Sequence, residues 1–146
     1  MPTIYLIGSL RNPEVPLIAR YLRKRGFEAY DDWYSPGPEA DDRWQAYEKK
    51  RGRTFDEALQ GWHARQVFEM DKRHLDRCDA GVLILPAGKS GHLELGYVAG
   101  QGKPVYILLD KEPERYDCMY GFAKVVPSLR ALVRGLKSEM YYPVPF

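Results

Sequence analysis

Two acids, Glu94 and Asp71, stand where a carboxylate needs a reason. Glu94 follows a continuous apolar run, Val82 to Leu85, and a loop marked by Pro86, Gly88 and Gly91. The run reads as a buried parallel strand and the loop as its exit into a helix, capped by Ser90 and stopped at Gly100 or Gly102. In the first turn of that helix, the Glu94 side chain leans toward the N-terminus and so back over the strand end. Open α/β sheets bind their ligands there, which makes Glu94 a candidate catalytic carboxylate. The plainer alternative is that it complements the helix macrodipole, an effect of about 0.3–1 kcal/mol. Asp71 is the one charged member of a helical stripe that runs through Ala64, Phe68, Asp71, Leu75 and Cys78. A carboxylate on a buried face must be paired or must face a cleft; a bond to a neighbouring Arg, Tyr or backbone group explains it as well as a functional role does.

Positioning two such acids requires strands alternating with helices. Thr3 to Ile7 reads as the first strand, with a turn at Gly8 and Ser9. Asn12-Pro13 opens a helix whose core stripe is Val15, Ile18, Tyr21 and Leu22, ending at Gly26. Phe27 to Tyr30 is a short second strand, and its exit places Asp31, Asp32, Trp33 and Tyr34 on the edge where the first strand ends. Residues 35–53 are read as irregular, with one or two helical turns; the whole insertion, at about 31–53, is lid-like. Thr54 and Glu57 match a capping box that starts the longest helix, expected to run to about Arg77. Pro104 to Asp110 is a fourth strand, Tyr116 to Val126 is irregular, Ser128 to Gly135 is a short amphipathic helix, and Tyr141 to Phe146 is an aromatic tail. The order predicts a three-layer, flavodoxin-like (Rossmann-like) α/β fold with a mainly parallel sheet, residues 1–146 forming one domain. A switch in strand order would bring the first strand beside the Val82 strand, with Tyr5, Gly8, Ser9, Asp31, Trp33 and Glu94 around the crevice.

Composition narrows the function. A net charge of +2 and a pI near 8.5 are too mild for a nucleic-acid polymer as partner. No apolar run approaches the roughly 18 residues that span a bilayer, and the start lacks a basic n-region, so the expected location is the cytoplasm and no membrane partner is expected. Two cysteines and three histidines without ligand spacing imply neither a disulfide framework nor a metal. The basic run from Lys49 to Arg53 reads as a solvated loop, with phosphate binding as the alternative. Eleven tyrosines and three tryptophans suit a site that stacks planar rings, although such residues also build cores and interfaces.

Three segments together carry a resemblance: Ile4-Tyr5-Leu6-Ile7-Gly8-Ser9, Asp71 eight residues before Asp79, and His92-Leu93-Glu94-Leu95-Gly96-Tyr97 leading to Gly102-Lys103-Pro104. The pattern resembles the nucleoside 2-deoxyribosyltransferase family, including its deoxynucleoside monophosphate N-glycosidase relatives, over most of residues 3–110. The resemblance implies a flavodoxin-like sheet, no cofactor, a nucleoside or nucleotide substrate, and a homo-oligomer whose sites are completed by a neighbouring chain. Glu94 matches the family's nucleophile, Asp71 the acid that serves the nucleobase, and Tyr5 the tyrosine that positions the nucleophile. A glycosidic bond breaks through an oxocarbenium-like state, so one carboxylate can capture the anomeric carbon while a second carboxyl protonates the leaving group. The transferases usually carry another Asp six residues before the nucleophile; here that position is Gly88. Ser90, Gly91 and His92 could supply contacts to sugar or phosphate, and Asp117 or Met119 could reach into a neighbour's crevice.

The implied function is cleavage of the N-glycosidic bond of 2′-deoxynucleosides with transfer of the sugar to another base, through a covalent intermediate on Glu94. The alternatives are a deoxynucleoside 5′-monophosphate N-glycosidase, an NAD-type N-glycosidase resembling the TIR-domain class, and a non-catalytic nucleotide-binding or sensing domain.

Overall fold

A computed structural model describes residues 1–141 of the chain. Five strands, β1 (Thr3–Ile7), β2 (Glu28–Tyr30), β3 (Ala80–Ile84), β4 (Val105–Leu108) and β5 (Lys124–Val126), form one sheet in the order β2-β1-β3-β4-β5. Every neighbouring pair is parallel. The helices are α1 (Glu14–Arg23), α2 (Ala40–Lys50), α3 (Phe55–Leu59), α4 (Trp62–Arg77), α5 (Lys89–Gly100) and α6 (Leu129–Tyr141), with 3-10 turns at Asp32–Tyr34 and Cys118–Phe122. This is the three-layer flavodoxin-like architecture. The strand order reverses between β1 and β3, which opens a crevice at their C-terminal ends.

The layers follow from the strand alternation. On one face Ile4, Leu6, Val82, Ile84 and Tyr106 pack with Val15, Ile18 and Leu22 of α1 and Leu132 and Leu136 of α6. On the other, Tyr5, Ile7, Leu83, Val105 and Ile107 pack with Leu75 of α4 and Leu95 and Val98 of α5. β1 and β3 are covered on both faces, and their unbroken apolar sequences reflect it.

Several local expectations change. Gly88, in an extended conformation, is the N-cap of α5, so Ser90 lies inside the first turn and Glu94 falls in the second. The Thr54–Glu57 capping box forms, but α3 ends after five residues. Gly61 breaks the path with ψ 169°, and a Cβ there would lie 3.1 Å from the Ala58 carbonyl oxygen. Two helices therefore replace the single long one. Phe68 is 65% exposed, so the apolar stripe of α4 is buried only toward its C-terminal end, at Leu75 and then Cys78. Residues 35–53 hold the eleven-residue helix α2, and the segment 116–126 contributes β5. α6 passes straight through Gly135 to Tyr141, because that glycine is where the helix crosses the Tyr106 ring. Beyond Tyr141 the expected aromatic tail lies outside the described residues.

Candidate active site

β1 delivers Tyr5 to the crevice, and the sheet buries it to 1% exposure. Its phenol faces the Glu94 carboxylate, which α5 presents from the neighbouring layer and whose charge acts on it. Asp71 reaches the same place from α4, where its charge acts on Glu94, on Tyr5 and on Tyr30. Tyr30 is the cross-strand partner of Tyr5, their rings 5.2 Å apart, and it stacks on His74 at 4.0 Å. Three elements thus bring together the three residues expected to carry chemistry, with an aromatic wall of Tyr5, Tyr30 and His74 behind them.

The electrostatics are those of a pair holding one proton. Burial, then the charge of Asp71, pushes Glu94 up to about 7, and the facing Tyr5 phenol pulls partly back. Burial pushes Asp71 up to about 6. The two acids titrate as a coupled pair, so between about 6 and 7 a single proton is shared between them. Burial, reinforced by both carboxylates, raises the Tyr5 phenol so far that it is a permanent donor. Tyr30 rises to about 12, through burial and then through Asp71 and Asp32. At near-neutral pH one member of the pair accepts and the other donates, as a two-carboxyl mechanism requires.

The rest of the crevice is built from loops. Gly8 sits tightly between Val15 and the Ile84 carbonyl, where a Cβ would come within 3.2 Å of the Val15 side chain. Ser9 Oγ accepts from the Arg11 amide at 3.1 Å. Asn12, 6% exposed, accepts from the Glu14 amide at 3.0 Å and donates to the Leu85 carbonyl at 3.4 Å, so it holds the first amide of α1, whose N-cap is Pro13, and ties it to the exit of β3. Ser9, Arg11, Asn12 and Gly88 line a cleft of about 520 Å³ where the N-terminal ends of α1 and α5 converge. Gly91 lets α5 lie close on β1 and β3, since a Cβ there would meet Ile7 and Leu83 at 3.2 Å. His92 Nδ1 lies 2.8 Å from the Gly88 carbonyl and must donate to it; Nε2 then accepts from Tyr120, 3.0 Å away.

Other expected site residues have structural partners. Asp31 is held by Arg23 at 2.8 Å. The Trp33 indole donates to the Leu6 carbonyl at 2.7 Å and its ring packs against both cores. Asp117 caps the 3-10 turn through the Met119 amide at 2.9 Å, and Met119 itself is exposed. In the basic run, Arg51 and Arg53 flank the buried Glu48 carboxylate at 3.4 and 3.5 Å. Tyr30, His74, Arg11 and Tyr120 are neighbours of the site that sequence reasoning passed over. Two had a readable signal: Tyr30 ends the strand expected beside β1, and His74 lies three residues after Asp71 on one helix. Among the described residues no group of three or more His, Cys, Asp or Glu is disposed to hold a metal ion.

No protein-family model matches the chain, and a search of curated proteins finds no match. Among solved structures, it is similar to the CMP N-glycosidase BcmB of Clostridium botulinum, with a TM-score of 0.54 and 14% identity. The likeness covers 92% of this chain and 98% of that one. It shows a shared fold. Among the described residues no helix is long and apolar enough to cross a membrane.

Proposed function

We propose that this protein is an N-glycosidase of nucleoside 5′-monophosphates, using Glu94 as nucleophile, Asp71 as acid and base, and Tyr5 as the donor that orients Glu94. The observation that carries this reading is the convergence of Tyr5, Glu94 and Asp71 at the β1/β3 crevice, with one proton between the two acids near neutrality. In the form of the pair whose single proton lies on Asp71, Glu94 attacks the anomeric carbon as the base departs with that proton, leaving a glycosyl ester. Water then attacks the same carbon, giving its proton to Asp71 and freeing Glu94. One nucleotide and one water become free base and sugar phosphate. The cleft of Ser9, Arg11, Asn12 and Gly88 offers an anion two helix N-terminal ends, beside Glu14 and an Arg11 whose guanidinium pairs with Asp42 at 2.6 Å. The described fold neighbour, a CMP N-glycosidase by name, acts on a substrate of this class. Gly88 stands where the transferases usually carry a further Asp, which leaves that position without a charge to repel a phosphate.

Transfer of the sugar to a second base is the other reading, favoured by the aromatic face that α2 and α4 present through Trp44, Tyr47, Trp62 and His63, where this lid-like segment could close over an acceptor. The surface residues Phe55, Trp62, Phe68 and Leu93 support a homo-oligomer in which Asp117 or Met119 of a neighbour completes the site. Chromatography separates these possibilities. Ribo- and deoxynucleosides, their 5′-monophosphates and NAD are each incubated with the protein, with and without a second free base. Release of base from monophosphates alone supports the proposal, and a new nucleoside would replace it with transfer. Mass spectrometry with a slow 2-fluoro substrate should find the adduct on Glu94, and Glu94→Gln should release no base; an adduct elsewhere moves the site.

A further inference from the structure

α4 and α5 meet along a seam with two unlike ends. Asp71 and Glu94 stand at one end, and when both are ionised they repel. At the other end Asp76 accepts three hydrogen bonds, from Tyr97 at 2.5 Å, Gln101 at 2.7 Å and Lys72 at 3.0 Å. Lys103, just beyond α5, donates to the carbonyls of Leu75 and Asp76 at 3.1 and 2.7 Å. Those belong to the last turn of α4, whose carbonyls have no amide partner within the helix. Glu94, Tyr97 and Gln101 fall at i, i+3 and i+7, which places them on one stripe of α5 facing α4. Asp71 lies five residues from Asp76, little more than one turn along α4.

We propose that Asp76 is a positioning residue: gripped by Tyr97, Gln101 and Lys103, it clamps the end of α4 to α5 and so fixes the distance between Asp71 and Glu94. The functional half of this rests on the N-glycosidase reading, which needs both carboxyls within reach of one glycosidic bond. The geometric half does not. Each clamp contact is at the surface and individually weak, but three partners converge on one carboxylate and a fourth on the adjoining backbone. The three bonds hold Asp76 ionised, well down at about 2, so the grip persists over the working range of pH. The groups that face Glu94 are Tyr5 from β1 and Asp71 from α4, with Tyr30 of β2 and His74 behind them. The charged groups at the clamp are Lys72, Asp76 and Lys103.

The double variant Tyr97→Phe/Gln101→Leu tests the clamp without changing any formal charge. Carboxyl 13C NMR on the intact protein follows the Glu94 titration, its signal assigned by its loss in Glu94→Gln. As the acids separate and water enters the seam, the midpoint should fall by roughly half a unit or more. Asp76→Asn should shift it in the same direction, and Asp76→Glu should restore part of it. An unchanged midpoint in the double variant and in Asp76→Asn overturns the clamp, even if their melting temperatures drop. In turnover, kcat should fall about tenfold with KM within about twofold, because misplacement of reacting groups is felt in the chemical step. A lowered midpoint with unchanged kcat overturns the positioning role. Failure of the wild type to release base from any nucleotide overturns the N-glycosidase reading alone, since the titration still decides the clamp.

Discussion

At the scale of single residues, the two raised carboxyls tie activity to stability. With one proton shared between Asp71 and Glu94, kcat/KM should follow a bell. It should fall below about 6, where both are protonated and no nucleophile remains, and above about 7, where both are ionised and no acid remains. A flat profile between pH 5 and 8 would contradict the pairing. A carboxyl whose folded value is raised contributes full stability below its unfolded value, and that contribution is lost as pH rises through the folded one. Asp71→Asn and Glu94→Gln should therefore each raise stability at pH 8, by on the order of 2 kcal/mol for Glu94→Gln, and give no gain near pH 4. Thermal melts at the two pH values check this. Asp71→Asn should also slow poor leaving groups more than good ones. Comparing a natural base with an activated aryl leaving group tests it, and equal losses would reduce Asp71 to a structural part.

At the scale of elements, the strands were legible because parallel strands buried on both faces are written as unbroken apolar runs, and β1 and β3 are of that kind. Glu94 and Asp71 stood out for the same reason, as charges inside apolar patterns. The break between α3 and α4 was not legible, because Gly61 follows a good capping box and precedes a good helical stripe; the chain turns extended at Gly61, where a side chain would collide with the Ala58 carbonyl and the Arg53 side chain. β5 escaped notice because its Lys124-Val125 pair is exposed at the sheet edge and carries no burial pattern. The cap of α5 shifted from Ser90 to Gly88 because a bare backbone can end the loop where no side chain is near. Gly135 looked like a stop but is a contact: its missing Cβ leaves room for the Tyr106 ring, 2.9 Å from where that atom would sit. Gly135→Ala should therefore destabilise the fold by about 1–3 kcal/mol despite alanine's better helix propensity. Denaturant unfolding measures this, and a stabilised variant would mean that Tyr106 readily steps aside.

At the scale of the whole molecule, two thoroughly buried cores sit beside an outer surface rich in large apolar groups. Trp62 is 77% exposed and Leu93 75%, more than isolated surface residues need. A second copy of the chain is the proposed cover, so light scattering should give at least twice 16.9 kDa, and Leu93→Glu should weaken that association. Full activity in a monomer would contradict the shared site. One feature of the interior bears on what the molecule admits. Asn12 holds the start of α1 with one atom of its amide and the exit of β3 with another. The two lips of the crevice are thus pinned across a single short side chain, like the jaws of a fixed gauge. A crevice pinned in this way should select by refusal, turning away a guest too wide at that point rather than accommodating it.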